Sequence, residues 1–138
     1  MSKPHFLDTN ILLYSISRDP NETRKREQAI TLLDDDGGAL SVQVLQEFYV
    51  QATRASRPDP IPHPIAAGLI HTWMRFAVQD ITASILTQAL DIKAKHGFSY
   101  WDSAIIAAAR ALGCQQLYSE DMAHGREVED VVILNPFR

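Results

Sequence analysis

The stretch HFLDTN, residues 5–10, decides the fold class. Residues 5–7 form a short apolar run that ends at the charged Asp8, which is the pattern of a buried strand reaching a polar edge. Residues 9–17 then carry five apolar side chains, which predicts a short apolar helix. A strand followed at once by a helix is typical of the opening of a layered α/β domain.

The rest of the chain repeats this alternation of short strands and longer helices. Helices are predicted over residues 20–33, 41–54, 65–76, 82–97 and 99–113, and further strands at 39–40, 77–78, 117–118 and 131–134. Strands separated by helices imply a mostly parallel sheet, here of about five short strands, covered on both faces. The helix from Ser99 is apolar nearly all round, so we expect it to be the most buried one.

The size of the chain predicts one domain spanning residues 1–138. The proline-rich stretch at residues 57–64 interrupts the helical pattern and must be an irregular loop, but it is too short to link two domains. A plain surface connection is its simplest interpretation; shaping a groove is the alternative.

Composition indicates a cytoplasmic protein that does not enter a membrane. The chain has one cysteine, so it has no intramolecular disulfide, and no apolar run approaches the roughly 20 residues that span a bilayer. The net charge of −4 argues against a generic nucleic-acid binder, which normally has a basic surface. A bound cation would supply part of the missing positive charge.

Four acidic residues stand at or near the predicted ends of strands or the beginnings of helices, and each has a structural interpretation. Asp8 could cap the helix that follows it, and Asp121 could cap a short turn. Asp102 could complete a capping box with the residue at position 99. Glu47 could simply face solvent. Taken singly, the structural interpretation is the better one for each of them.

Taken together, the same four acids predict a metal site. The carboxyl ends of parallel strands meet at one edge of a sheet, and ligands gather there. Carboxylates held close together there are unfavourable unless a cation neutralises them. Oxygen ligands without nearby histidine or cysteine favour Mg²⁺ or Mn²⁺. Such an ion can orient a phosphodiester and lower the pKa of an attacking water.

The motifs around these acids resemble those of PIN domains. FLDTN at residues 6–10, SVQVLQEF at 41–48, YWDSAIIAAA at 100–109 and LYSEDM at 117–122 with a following glycine occur in the order of that family's motifs. The resemblance implies a three-layer α/β/α fold and a Mg²⁺- or Mn²⁺-dependent endoribonuclease. It also assigns the site residues: the acidic pocket of Asp8, Glu47, Asp102 and Asp121, and the supporting Thr9, Asn10 and Ser119.

Within that family the chain is similar to VapC-type toxins of toxin–antitoxin pairs. The resemblance assigns Asp8, Asp102, Asp121 and Glu47 to the metal site, with Asp8 and Asp102 foremost as direct ligands. It also implies an RNA substrate, a homodimer and inhibition by a small VapB-like antitoxin. One alternative is a catalytically silent PIN-like module that binds RNA or protein. Another is a phosphoryl-accepting signalling domain, which fits less well because Thr9 and Asn10 follow the first acid and no lysine occurs after Lys95.

Overall fold

One six-stranded sheet organises the molecule, for which the computed structural model describes residues 3–138. Its strands are β1 (His5–Leu7), β2 (Gly38–Ser41), β3 (Ala77–Gln79), β4 (Gln116–Tyr118), β5 (Glu127–Val128) and β6 (Val131–Leu134). They lie in the order β3-β2-β1-β4-β6-β5, and all neighbours are parallel except β5 and β6. The mostly parallel sheet is thereby confirmed. The single domain expected over residues 1–138 stays a prediction, and residues 1 and 2 lie outside the described part.

Six α-helices connect and cover the strands of the described part. They are α1 (Thr9–Ser15), α2 (Thr23–Asp34), α3 (Val42–Thr53), α4 (His63–Trp73), α5 (Ala83–His96) and α6 (Tyr100–Ala111), with a 3-10 helix at Pro20–Glu22 before α2. The hydroxyls of Ser41, Thr82 and Ser99 cap α3, α5 and α6 by accepting an amide of the first turn. Within residues 3–138, no helix combines the length and apolar character needed to cross a bilayer.

The strand order divides the helices between two faces of the sheet. The chain moves outward from β1 to β2 to β3 and then returns to β4 on the other side of β1. Because such crossovers are right-handed, the outward and return connections cover opposite faces. The contacts agree, since α1 packs on α2 and α3, and α3 on α4, while α5 packs on α6. The result is the expected three-layer α/β/α arrangement.

The apolar core lies between the sheet and its two helical layers. Helix α6 is buried continuously from Ser103 to Ala109, which confirms the expectation for the helix that begins after Ser99. On the other face Phe48 packs edge-to-face on Trp73, with ring centroids 4.7 Å apart. Burial of these side chains fixes the helices against the sheet and, with them, the residues at their first turns.

Two details differ from the sequence-based expectation. The sheet has six strands rather than about five, because β5 forms a hairpin with β6 through Glu129 and Asp130. Both residues have positive φ, 51° and 68°, which such a turn usually obtains from Asn-Gly or Asp-Gly, so no turn signal was visible. The irregular stretch predicted over 57–64 is also shorter, since α4 begins at His63 with proline in its first turn, where no amide donor is required.

The sheet reverses its winding between β1 and β4. One crossover leaves β1 for β2 on one face, and the crossover that arrives at β4 lies on the opposite face. The carboxyl ends of these two neighbouring strands therefore border a crevice, which is where ligands bind in open α/β sheets. Asp8 follows β1 directly, and Ser119 follows β4 directly.

Candidate functional site

Asp8 is the most deeply buried acid of the crevice, with 6% of its surface exposed. It caps α1 because its Oδ1 accepts the Thr9 amide at 2.7 Å, and its Oδ2 accepts the Ser119 hydroxyl at 2.7 Å. Burial raises the pKa of the Asp8 carboxyl from 3.8 to about 6, against the lowering effect of these two hydrogen bonds. The charges of Glu47 and Asp102 raise this pKa further. The capping and site interpretations of Asp8 are therefore compatible.

Asn10 connects the start of α1 to the segment that follows β4. Its Nδ2 donates to Asp121 Oδ2 at 3.1 Å and lies 3.4 Å from Ser119 Oγ and 3.5 Å from Asp8 Oδ2. Its Oδ1 accepts the Glu120 amide at 3.3 Å. The Ser119 hydroxyl in turn accepts the Asp121 amide at 3.2 Å. The Asn10 side chain thus contacts both Asp8 and Asp121.

Glu47 reaches the same crevice from α3. The Ser41 cap starts this helix at the end of β2, so Glu47 lies in its second turn on the side facing α1. The Thr9 hydroxyl donates to Glu47 Oε1 at 2.9 Å. This contact links Thr9, which follows Asp8 in the sequence, to Glu47.

Asp102 enters the crevice from the first turn of α6. The Ser99 hydroxyl accepts the Asp102 amide at 3.1 Å, which is the cap expected for this helix. Partial burial raises the pKa of the Asp102 carboxyl, the Ser99 hydroxyl lowers it, and the charge of Asp121 raises it. Asp102 is therefore held at its backbone, and its carboxylate lies close enough to Asp121 to sense that charge.

All four acids line one small cavity of about 140 Å³. Thr9 and Asn10 line it as well, and Ser119 contacts it through Asp8. Three further lining residues were not singled out from the sequence: Leu13, Gln51 and Ile105. Gln51 lies one helical turn after Glu47 on α3, so the i, i+4 spacing was the available signal. The four acids expected to converge are brought together; their catalytic roles are a separate question.

Most of this sequence matches a known protein family. The model of the PIN domain family matches residues 5–126, which is most of the chain and includes the four acids. The chain belongs to the PIN domain family. No curated protein matches this sequence.

Solved structures similar to this PIN domain come from bacterial toxin–antitoxin systems. A toxin–antitoxin complex from Klebsiella pneumoniae has a TM-score of 0.71 at 16% identity, covering 96% of this chain and 97% of that one. The Mycobacterium tuberculosis toxin VapC20, described as cleaving the sarcin-ricin loop, has 0.64 at 22%, covering 82% and 86%. DNA-bound VapBC from Salmonella typhimurium has 0.64 at 17%, covering 96% and 97%. At these identities the similarity shows a shared fold.

The donor groups of this PIN domain fit a hydrated divalent cation. The side chains that line the cavity offer carboxylate, hydroxyl and amide oxygens, the donors that Mg²⁺ and Mn²⁺ prefer. Within residues 3–138, no three His, Cys, Asp or Glu side chains are close enough to hold a metal ion by themselves. Mg²⁺ usually keeps several waters and takes one or two carboxylates directly. The pocket therefore suits an ion with a few direct protein ligands and the rest water.

Proposed function

We propose that this PIN domain is a Mg²⁺- or Mn²⁺-dependent endoribonuclease and the toxin of a type II toxin–antitoxin pair acting in the cytoplasm. One observation carries the nuclease proposal: Asp8, buried with a raised pKa, shares a cavity with three other acids at the point where the sheet reverses its winding. A buried carboxylate among like charges is unfavourable for folding, and cation binding accounts for its presence. The family membership supports the same interpretation.

In the proposed site Asp8 and Asp102 are the direct metal ligands. Asp121 and Glu47 also line the cavity, and with the cation bound they would accept hydrogen bonds from water. Asn10, Ser119 and Thr9 keep the acids in place through the contacts described above. The bound cation supplies charge neutralisation for the phosphodiester and a lowered pKa for water.

The balance of charge makes cleavage strictly dependent on the cation. The acids that line the cavity repel a phosphodiester, and no lysine or arginine lines that cavity. Without a divalent ion, an RNA backbone has no favourable electrostatic partner inside this cavity. We therefore expect chelation to abolish both cleavage and productive substrate binding.

Removal of one charged oxygen from either direct ligand tests the nuclease proposal. We expect Asp8→Asn and Asp102→Asn to abolish Mn²⁺-dependent cleavage of total cellular RNA by the purified protein, with circular dichroism spectra unchanged. Asp91→Asn, an exposed acid on α5, is the matched control and should cleave normally. Unchanged cleavage by both active-site variants would contradict the assignment. Absence of cleavage by the wild type with either metal would favour the silent binding module.

The proposed partners are a VapB-like antitoxin and a second copy of the chain. Several structurally similar proteins were solved as complexes of toxin and antitoxin, some of them on DNA. Large apolar side chains are exposed near the start of α6 and along α5: Ile81, Leu86, Leu90 and Trp101. Such a surface is typical of a protein interface, and we assign it to the homodimer. Light scattering should give a dimer mass, and Trp101→Ser should lower it.

A further inference from the structure

Glu120 lies between two residues of the site and is held by a separate set of contacts. Its Oε1 accepts the Tyr14 hydroxyl at 2.5 Å, and its Oε2 accepts Lys25 Nζ at 2.5 Å. The Lys25 and Glu120 side chains are 39% and 23% exposed, so the pair is partly shielded from water. None of these three residues lines the cavity that holds the four acids.

The contacts around Glu120 form a closed cluster made by three distant segments of the chain. Tyr14 lies on α1, Lys25 on α2 and Glu120 after β4, and Lys25 Nζ is 3.2 Å from the Tyr14 hydroxyl. The Lys25 ammonium also lies 4.9 Å from the centre of the Tyr14 ring, and Phe137 packs edge-to-face on that ring at 5.0 Å. Each member has two or more partners, so the geometry of the Glu120 carboxylate is fixed from several directions.

Helix α1 grips the segment 119–121 at two points. Asn10 and Tyr14 are one helical turn apart and therefore project from the same face of α1. Asn10 accepts the Glu120 amide and donates to Asp121, while Tyr14 binds the Glu120 carboxylate. The backbone of Glu120 and its side chain are thus held by the same helix that carries Asp8 at its N-cap.

Glu120 makes more contacts than an ordinary surface ion pair does. An exposed Lys–Glu pair contributes little to stability, and many such pairs serve no site. Here the anchored residue sits directly between Ser119, which donates to Asp8, and Asp121, which accepts from Asn10. A rotation of the Glu120 peptide would move both neighbours relative to Asp8.

We propose that Glu120 is a positioning residue, clamped by Tyr14 and Lys25 so that Ser119 and Asp121 face Asp8 in the geometry that binds the cation. This proposal rests on the proposed nuclease function for its activity readout, and on Mn²⁺ affinity for a readout that does not need RNA cleavage. Loss of supporting contacts around metal ligands typically lowers affinity or activity on the order of 10- to 100-fold. The clamp acts at a greater distance, so we expect a change near the lower end.

Three variants of the full chain test the clamp, with one matched control. Glu120→Gln removes the charge, Lys25→Met removes the cation but keeps the length of the side chain, and Tyr14→Phe removes only the hydroxyl. Arg24→Met removes a neighbouring cation of α2 that is exposed to solvent. Mn²⁺ affinity is measured by calorimetry, kcat and KM by RNA cleavage, and folding by thermal melts.

We expect Glu120→Gln and Lys25→Met to lower Mn²⁺ affinity or kcat about tenfold, with KM for RNA nearly unchanged. Arg24→Met should behave as the wild type. Because Lys25 and Tyr14 act through the same carboxylate, Lys25→Met should add little in the Glu120→Gln background. Tyr14→Phe should show a smaller loss of the same kind, and it keeps the test valid if Glu120→Gln fails to fold.

The outcomes separate this proposal from the proposed function. A wild type that binds Mn²⁺ without cleaving RNA, with affinity lowered in the variants, supports the clamp and contradicts the nuclease. A wild type that cleaves RNA, with variants that match it in kcat and Mn²⁺ affinity and change only the melting temperature, overturns the clamp and leaves the nuclease. A wild type that neither binds Mn²⁺ nor cleaves RNA contradicts both.

Discussion

The two halves of the acid pocket are held in different ways. On the side of α1 and β4, Asp8 and Asp121 are joined through Asn10 and Ser119 by a dense set of hydrogen bonds. On the side of α3 and α6, Glu47 receives one hydroxyl from Thr9, and Asp102 is held mainly through its helix cap. More hydrogen bonds restrain the acids of the first half, here called the rigid half, than those of the second, here called the adjustable half.

Asp8, in the rigid half, is the acid whose negative charge is most unfavourable in the folded state. Replacing it with a neutral residue should therefore stabilise the metal-free protein. The pKa of Asp8 rises from 3.8 to about 6 on folding, so the folded state favours the protonated acid. Stability is therefore lost as pH rises from about 4 through 6. Above pH 7, Asp8→Asn should increase the free energy of unfolding in EDTA by up to about 3 kcal/mol, roughly 100-fold in equilibrium constant.

Urea denaturation of wild type and variant across pH 3.5 to 8 measures this difference. The curves should coincide near pH 3.5 and diverge above pH 5. Asp91→Asn, which removes an exposed charge from α5, should shift stability by less than about 0.5 kcal/mol at any pH. A destabilised Asp8→Asn protein at pH 7.5 would contradict the assignment of Asp8 as the strained centre.

Loss of the Asn10 side chain should lower cleavage more than loss of any other supporting side chain. Asn10→Ala removes contacts to Asp121, Ser119 and the Glu120 amide together. We expect Mn²⁺-dependent RNA cleavage to fall on the order of 10- to 100-fold, as for other residues that orient metal ligands. Steady-state cleavage at saturating Mn²⁺ measures it. A variant within twofold of the wild type would show that the dense contacts do not matter for chemistry.

The corresponding change in the adjustable half should have the smallest effect. Thr9→Val keeps the shape of the side chain and removes the hydroxyl that donates to Glu47. Glu47 has a single such contact, so we expect less than a tenfold loss of cleavage, below the range typical of supporting residues. The same cleavage assay compares Thr9→Val with Asn10→Ala. A larger loss in Thr9→Val than in Asn10→Ala would reverse the proposed division of the pocket.

The positions of the four acids in the fold are predictable from the sequence because short local patterns determine them. The apolar run before Asp8, the hydroxyl caps at Ser41 and Ser99, and the short strand before Ser119 are each visible in a few residues. Parallel strands then bring these ends to one edge without any further information. The motif order added the family, which the match over residues 5–126 confirmed.

Contacts between distant segments could not be predicted from such local patterns. Lys25 and Glu120 are separated by 95 residues, and nothing in either neighbourhood indicates the other. The hairpin of β5 and β6 was missed because Glu129 and Asp130 are unusual residues for positive φ. Gln51 was missed because helical spacing indicates a shared face but not which cavity that face lines. These features depend on packing, which periodicity does not encode.

We propose that the pocket is built around Asp8 to hold a divalent cation. Calorimetric titration of Mn²⁺ into the metal-free protein at pH 7.5, with Asp8→Asn and Asp91→Asn in parallel, tests it most directly. We expect saturable binding by the wild type and by Asp91→Asn, and no measurable binding by Asp8→Asn. Equal Mn²⁺ affinity in the wild type and Asp8→Asn would contradict it.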